Sequence, residues 1–422
     1  MAERYWIETL GCPKNEVDSA KLAGTLLADG YTAAPSAAEA DLVVVNTCAF
    51  IEPARAESIE TILALAEERR PGSRLVVTGC MAERYGPELA AELPEVDLVA
   101  GFGVPIALGR TRRRTGQGFD LLELPRPPAT APWAYVKIAE GCDRACGFCA
   151  IPSFRGAQRS RSIDSILAEV DSLGVREAVL VAQDLASWGR DQASQGSRPA
   201  STGGPAPIVS LIEAVAARVD RVRVLYIYPS ALTPPLIEAI IGTGVPYFDL
   251  SLQHASGRLL RRMRRYGNGG RFLERIEAIR TQSPEAAMRS SFIVGYPGET
   301  EDDHDELLSF LADAELDWAG FFAYSEEAGT YAADLDEKVP AELVEERLSE
   351  CGELQDRITA TRRTALVGTE LEVLVDSPGS ARSHREAPMI DGVIKVPHSL
   401  AVGELAHVRV TGACGPDLDA VA

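Results

Sequence analysis

The chain has 422 residues, 46% of them hydrophobic and 25% charged, a balance that suits a soluble globular protein of two or three domains. No apolar run approaches the roughly 20 residues needed to cross a bilayer, and the start, Met1-Ala-Glu-Arg-Tyr-Trp-Ile-Glu8, lacks the basic-then-apolar order of a secretory leader. A cytoplasmic enzyme without a membrane partner is expected. The formal net charge is −20, so phosphate binding would need a basic patch on an acidic background; the balance favours a basic protein or a small molecule.

Residues 1–128 alternate strand-like and helix-like stretches. Strands are expected at Arg4–Leu10, Asp41–Asn46 and Arg74–Thr78, with helices at Val17–Ala28 and Ala54–Glu68, which predicts a parallel α/β sheet. The proline-rich stretch Leu124–Pro132 reads as an interdomain linker. Residues 129–363 alternate again, with strands at Ala134–Ile138, Ala178–Ala182, Arg221–Tyr228, Tyr247–Leu252, Arg289–Val294 and Gly320–Tyr324. Helices are expected at Ile163–Leu173, Ile208–Ala217 and Arg271–Thr281. Six βα units fit a partial (βα)6 barrel rather than the eight of a closed one. The polar run Asp191–Pro205 reads as a surface insertion without chemistry. Residues 364–422 carry short alternating strands at Leu371–Val375, Gly392–Val396 and His407–Thr411, predicting a small antiparallel β-barrel.

Three of the eight cysteines lie in Gly141-Cys-Asp-Arg-Ala-Cys-Gly-Phe-Cys149, directly after the first strand of the central segment. Thiolates spaced Cys-x3-Cys-x2-Cys can wrap a 4Fe-4S cluster, and three ligands leave one iron open. A structural zinc site is the alternative, but zinc wants four ligands, and the first histidine after the loop is His254. Cys12, Cys48 and Cys80 each follow a predicted strand by one or two residues. The carboxyl ends of parallel strands share one edge, so three thiols could meet there around a second cluster, or each could be a small buried apolar residue. Cys351 and Cys414 match no motif and read as structural.

The three-cysteine loop resembles the signature of the radical S-adenosylmethionine (SAM) superfamily. Gly11-Cys-Pro-Lys-Asn-Glu-Val-Asp-Ser19, Val45-Asn-Thr-Cys48 and Thr78-Gly-Cys80 resemble the amino-terminal domain of its methylthiotransferases. Ala150-Ile-Pro-Ser-Phe-Arg-Gly156, Val181-Ala-Gln-Asp184, Ser251-Leu-Gln-His254 and Phe292-Ile-Val-Gly-Tyr-Pro-Gly-Glu-Thr300 extend the match, and the last segment is similar to a TRAM module. The resemblance implies two 4Fe-4S clusters. One on Cys142, Cys146 and Cys149 binds and cleaves SAM; an auxiliary one on Cys12, Cys48 and Cys80 handles sulfur. It puts Phe148 beside the cofactor, although that residue could equally be an apolar filler. Gln183 and Glu299 become cofactor-facing candidates, or simply residues that end their strands with caps. No catalytic side chain beyond the cluster ligands is implied.

Within the family, enzymes acting on transfer RNA usually carry Gly-Cys-Gln-Met-Asn at the first cysteine. Gly11-Cys-Pro-Lys-Asn15 looks instead like the branch that modifies an aspartate of small ribosomal subunit protein twelve, with Ala20 departing from the glutamate usual there. That branch implies methylation of a sulfur species at the auxiliary cluster. A SAM-derived radical then takes hydrogen from the aspartate β-carbon, which captures the methylthio group; an electron donor and a sulfur donor are required. Residues 364–422 hold four basic and eight acidic side chains, which suits a basic protein better than RNA. A transfer RNA methylthiotransferase is the nearest rival. A non-catalytic electron carrier is the other, but such proteins ligate each cluster with four cysteines.

Overall fold

The computed structural model describes residues 2–106, 120–193 and 206–422. The first unit is a parallel sheet of β1 (Arg4–Thr9), β2 (Thr32–Ala33), β3 (Leu42–Thr47), β4 (Arg74–Gly79) and β5 (Leu98–Ala100), in the order β2-β1-β3-β4-β5. Helices α1 (Pro13–Ala28), α2 (Glu52–Glu68) and α3 (Cys80–Glu92) connect them. β3 lies in the middle with every residue buried, as expected of a continuous apolar run covered on both faces. Two short edge strands and α3 were not anticipated. Gly86-Pro87 interrupts the helical pattern of α3, and the chain accommodates it by leaving helical geometry at Tyr85.

The central unit contains β6 (Trp133–Lys137), the small ribbon β7 (Ala139–Glu140) and β8 (Arg159–Ser160), then β9 (Glu177–Val181), β10 (Arg221–Val224), β11 (Tyr247–Gln253), β12 (Ala287–Val294) and β13 (Trp318–Ala323). Six of these strands run parallel, in the orders β6-β9-β10 and β11-β12-β13. A parallel bridge between Ile227 and Leu250 joins the two halves. The result is the expected six-stranded open barrel. Its helices are α4 (Ile151–Arg155), α5 (Ile163–Leu173), α6 (Arg190–Ala193), α7 (Pro207–Ala216), α8 (Pro234–Ile241), α9 (Gly257–Arg262), α10 (Gly269–Gln282), α11 (Glu301–Ala314) and α12 (Ala341–Thr364). β10 stops four residues before the predicted end because Tyr226 adopts a left-handed φ of 63°, which a regular strand does not allow. Of the expected insertion, Arg190–Ala193 is helical and Asp191 accepts from the Ser160 amide and hydroxyl at 2.8 and 2.6 Å. Residues 194–205 lie outside the described residues.

The stretch Leu124–Pro132 is a strap rather than a loose tether. Arg126 pairs with Glu169 of α5 at 2.9 Å, and the Ala129 amide donates to the Leu173 carbonyl. The last unit is a closed barrel of β14 (Glu370–Ser377), β15 (Ser380–Arg382), β16 (Ile394–Lys395), β17 (Leu405–Cys414) and β18 (Asp417–Val421).

Both flanking units plug the open barrel. Tyr135, Val179, Val181, Leu225, Tyr247 and Trp318 form an internal cluster that receives Val17 of α1 and Ala387 of the loop after β15. Charge fixes the second contact. Glu177 accepts from Arg223 at 2.8 Å and pairs with Arg382 at 3.0 Å, with all three side chains buried. Tyr247 donates to Asp391 at 2.6 Å, and the Trp318 indole donates to the Arg385 carbonyl at 2.7 Å. Burial alone would raise the Glu177 carboxyl, but Arg382 and Arg223 hold it down at about 2. Replacing Glu177 with glutamine leaves two buried guanidinium groups short of a counter-charge, and should cost about 3–5 kcal/mol at pH 7. Because the folded pKa lies below the ordinary 4.5, wild type keeps this advantage above that value and loses it as pH falls toward 2. Denaturant unfolding of both proteins from pH 7 to pH 3 should show their stabilities converging.

Candidate active site

Cys12, Cys48 and Cys80 come off the carboxyl ends of adjacent strands β1, β3 and β4. Cys12 is the N-cap residue of α1 and Cys80 opens α3. Two glycines let these loops approach. A β-carbon on Gly11 would fall 2.9 Å from the Cys48 sulfur, and one on Gly79 would fall 2.4 Å from Asn46 Oδ1; both glycines have left-handed φ. Asn15 ties the loops together, donating to the carbonyls of Leu10 at 2.8 Å and Thr47 at 3.1 Å. Burial pushes the Cys48 thiol up to about 11 and raises that of Cys80, and the neighbouring cysteines add to both shifts. Burial also acts on Cys12, but Lys14, Arg155 and the backbone amides of Asn15 and Lys14 outweigh it and hold that thiol below its ordinary value.

The second triad lies in the loop after β7. Gly141 has a φ of 77°, and a β-carbon there would strike the Ala157 carbonyl at 2.1 Å. The Arg144 amide approaches the Cys142 sulfur at 3.4 Å, and the Arg265 guanidinium donates to the Cys146 sulfur at 3.3 Å. Phe148 is half-buried and packs on the barrel core. Burial pushes Cys142 to about 11 and Cys149 to about 12, so free thiolates are disfavoured unless positive charge stabilises them. Thiols held by amide and guanidinium donors form a donor set suited to iron–sulfur clusters. Among the described residues no three His, Cys, Asp or Glu side chains converge on a single ion.

A buried guanidinium connects the first triad to Glu140, two residues before Cys142. Arg155, at the end of α4, donates to the Cys80 sulfur at 2.9 Å, to Asn15 Oδ1 at 3.0 Å and to Glu140 at 2.8 Å. Glu140 also accepts from Gln183 Nε2 at 2.8 Å and pairs with Lys137. Lys137 in turn pairs with Asp18 of α1 at 2.8 Å. Burial alone would raise the Glu140 carboxyl, but Lys137 and Arg155 hold it well below the usual carboxylate range. Sequence reasoning did not single out Arg155, Asp18, Lys137 or Glu140. The available signal was Lys137 within the apolar strand Ala134–Ile138, because a charge there must find a buried partner.

Gln183 reaches this network, and its Oε1 is buried without a hydrogen-bond partner, leaving an acceptor for a bound group. Glu299 does not match its cofactor-facing expectation. It is 6% exposed and accepts from the amides of Gly295 and Tyr296 at 2.7 and 3.3 Å, and from Arg347 of α12 at 3.0 Å. Its oxygens are committed to holding the turn after β12 against α12. Cys351 is fully buried in the barrel core, whereas Cys414, also expected to be structural, is exposed at the end of β17.

Residues 4–101 match the model of uncharacterized protein family UPF0004, residues 136–311 that of the radical SAM superfamily and residues 367–422 that of the TRAM domain. The chain is 40% identical to the ribosomal protein uS12 methylthiotransferase RimO of Saccharopolyspora erythraea, over 99% of this chain and 94% of that one. It is likewise 40% identical to the RimO of Moorella thermoacetica, over 97% and 96%. The radical SAM methyltransferase TsrM of Kitasatospora setae superposes on it with a TM-score of 0.48 at 14% identity, covering 79% of this chain and 74% of that one. With three matched domains in order and relatives aligned almost end to end, the chain belongs to the RimO family of radical SAM methylthiotransferases.

Proposed function

We propose that this enzyme attaches a methylthio group to the β-carbon of an aspartate in small ribosomal subunit protein twelve, using SAM and two four-iron clusters. The observation that carries this reading is the pair of cysteine triads, one at the strand ends of the first sheet and one in the loop after β7, with buried Arg155 bonded both to Cys80 and to Glu140 beside that loop. The clusters, when bound, supply reductive cleavage of SAM at one triad and a sulfur reservoir at the other; separate donors provide the electrons and the sulfur. The chain's own work is positional. Arg155, Arg265 and the Arg144 amide direct hydrogen bonds at cysteine sulfurs, which stabilises thiolate and sets cluster potential. Val17 and Ala387 close the barrel interior against water.

Cys142, Cys146 and Cys149 replaced together by alanine should remove roughly half the bound iron, since each triad is assigned one cluster, and should abolish 5′-deoxyadenosine release. The corresponding triple alanine variant at Cys12, Cys48 and Cys80 should still release 5′-deoxyadenosine but form no methylthiolated product. Iron analysis and product mass spectrometry read both results. A first variant that retains all its iron refutes the ligand assignment.

Substrate class is tested through the last barrel, whose carboxylates are not equally available. Asp376 pairs with buried Arg382, and Glu372 accepts from Arg221 at 3.0 Å; both serve the seam with the central unit. Glu370 and Asp419 face solvent on β14 and β18, Glu370 in an exposed pair with Arg409 at 2.9 Å. Changing these two to lysine should weaken binding of basic protein twelve several-fold at low salt and less at high salt. An RNA substrate predicts tighter binding instead. Measured affinity for the ribosomal protein and for transfer RNA separates the two by sign.

A further inference from the structure

Lys14 is the second residue of α1, two positions after Cys12. Its side chain is half-buried and reaches from the first unit into the central barrel, where its ammonium lies 3.8 Å from the centre of the Tyr226 ring. No carboxylate pairs with it among the described residues, and the acidic group its charge acts on is the Cys12 thiol. Three other cations near the two triads are occupied: Arg155 by Glu140, Arg144 by Asp184 at 2.6 Å, and Arg265 by the Ser251 carbonyl and the Cys146 sulfur; Arg264 is exposed and stacks on Tyr331 at 3.8 Å beside the second triad's loop.

The platform beneath Lys14 is built at a cost. Tyr226 takes a left-handed φ of 63°, a strained conformation for a bulky residue. It is held there by its amide, which donates to Asp249 at 3.0 Å. Arg289 donates to the other Asp249 oxygen at 3.1 Å and also pairs with Asp391 of the last unit at 3.4 Å. The central and last units therefore both contribute to fixing the residue on whose ring the first unit's ammonium rests. Strain retained by such a scaffold points to function rather than to packing.

We infer that Lys14 is a specificity-determining residue that binds the carboxylate of the target aspartate. This rests on the substrate reading above. The carboxylate of an aspartate is bonded directly to its β-carbon, so a substrate that presents this carbon between the triads brings an anion to the same place. An anion taken out of water there needs a fixed cation, and the unpaired ammonium beside Cys12 supplies one. The aromatic face holds Lys14 in position without neutralising it. An uncharged side chain at the target position lacks that partner, so the site selects aspartate over asparagine.

The test uses the cluster-loaded full chain and two ligands: small ribosomal subunit protein twelve, and the same protein with its target aspartate changed to asparagine. Wild type should bind the aspartate form about ten- to a hundred-fold more tightly, the range of a charge-assisted hydrogen bond. Lys14→Met should bring that ratio close to one, and Lys14→Arg, which keeps the charge, should retain most of it. SAM also carries a carboxylate, so its affinity for each variant is measured alongside. Weakened SAM binding in Lys14→Met with the aspartate preference intact would place SAM's carboxylate at Lys14 and overturn the inference. An unchanged preference with unchanged SAM affinity overturns it as well. If wild type binds neither form of protein twelve, the substrate reading fails and this inference falls with it.

Discussion

The catalytic end of the molecule depends on one buried guanidinium. Arg155 is 7% exposed, yet it reaches the Cys80 sulfur in the first unit and Glu140 in the second. Such a cation is stable only if every donor finds a partner, because an unpaired buried charge costs several kcal/mol. Asn15, Glu140, Asp18 and Cys80 meet that demand from two separate units. The solvation needs of one side chain thus tie Cys80 of the first unit to Glu140, two residues before Cys142. Lys137 repeats the arrangement, with Asp18 on one side and Glu140 on the other.

The contact between the barrel and the last unit follows the same physics with the opposite sign at its centre. Glu177 is a fully buried carboxylate compensated by Arg223 and Arg382. Around it, Arg363 pairs with buried Glu386, and Arg385 and Arg362 share Asp317. These pairs are directional, and they seat the loop that carries Ala387 and Asp391 inside the barrel. Apolar contacts alone would fill that space without fixing how the unit is oriented.

An open barrel has a gap between its first and last strands, and an isolated one would leave its interior wet. Here the gap is filled by neighbours on both sides, Val17 from the first unit and Ala387 from the last. The three units therefore share one buried cluster, and the helix that supplies Val17 to it is the helix that begins beside Cys12 of the auxiliary triad.

The sequence by itself determined the element order and the cysteine groups. Strand and helix periods are local properties, so β3, α5 and the six parallel strands of the barrel were legible from runs such as Leu42–Val45 and Ile163–Leu173. The strand-end position of Cys12, Cys48 and Cys80 was legible for the same reason, because parallel topology makes strand ends neighbours. Helix α3 was hidden by Gly86-Pro87, and the early end of β10 by a backbone conformation at Tyr226 that no residue pattern announces. Glu299 was open to two readings, a cofactor-facing group or a residue that ends its strand with caps; only the fold shows Arg347, 48 residues further on, holding it. The same holds for Arg155, whose partners lie 75 and 140 positions away. Contacts of that span depend on how three units pack, and it was the tertiary structure that decided which charges pair and set Lys14 over the Tyr226 ring.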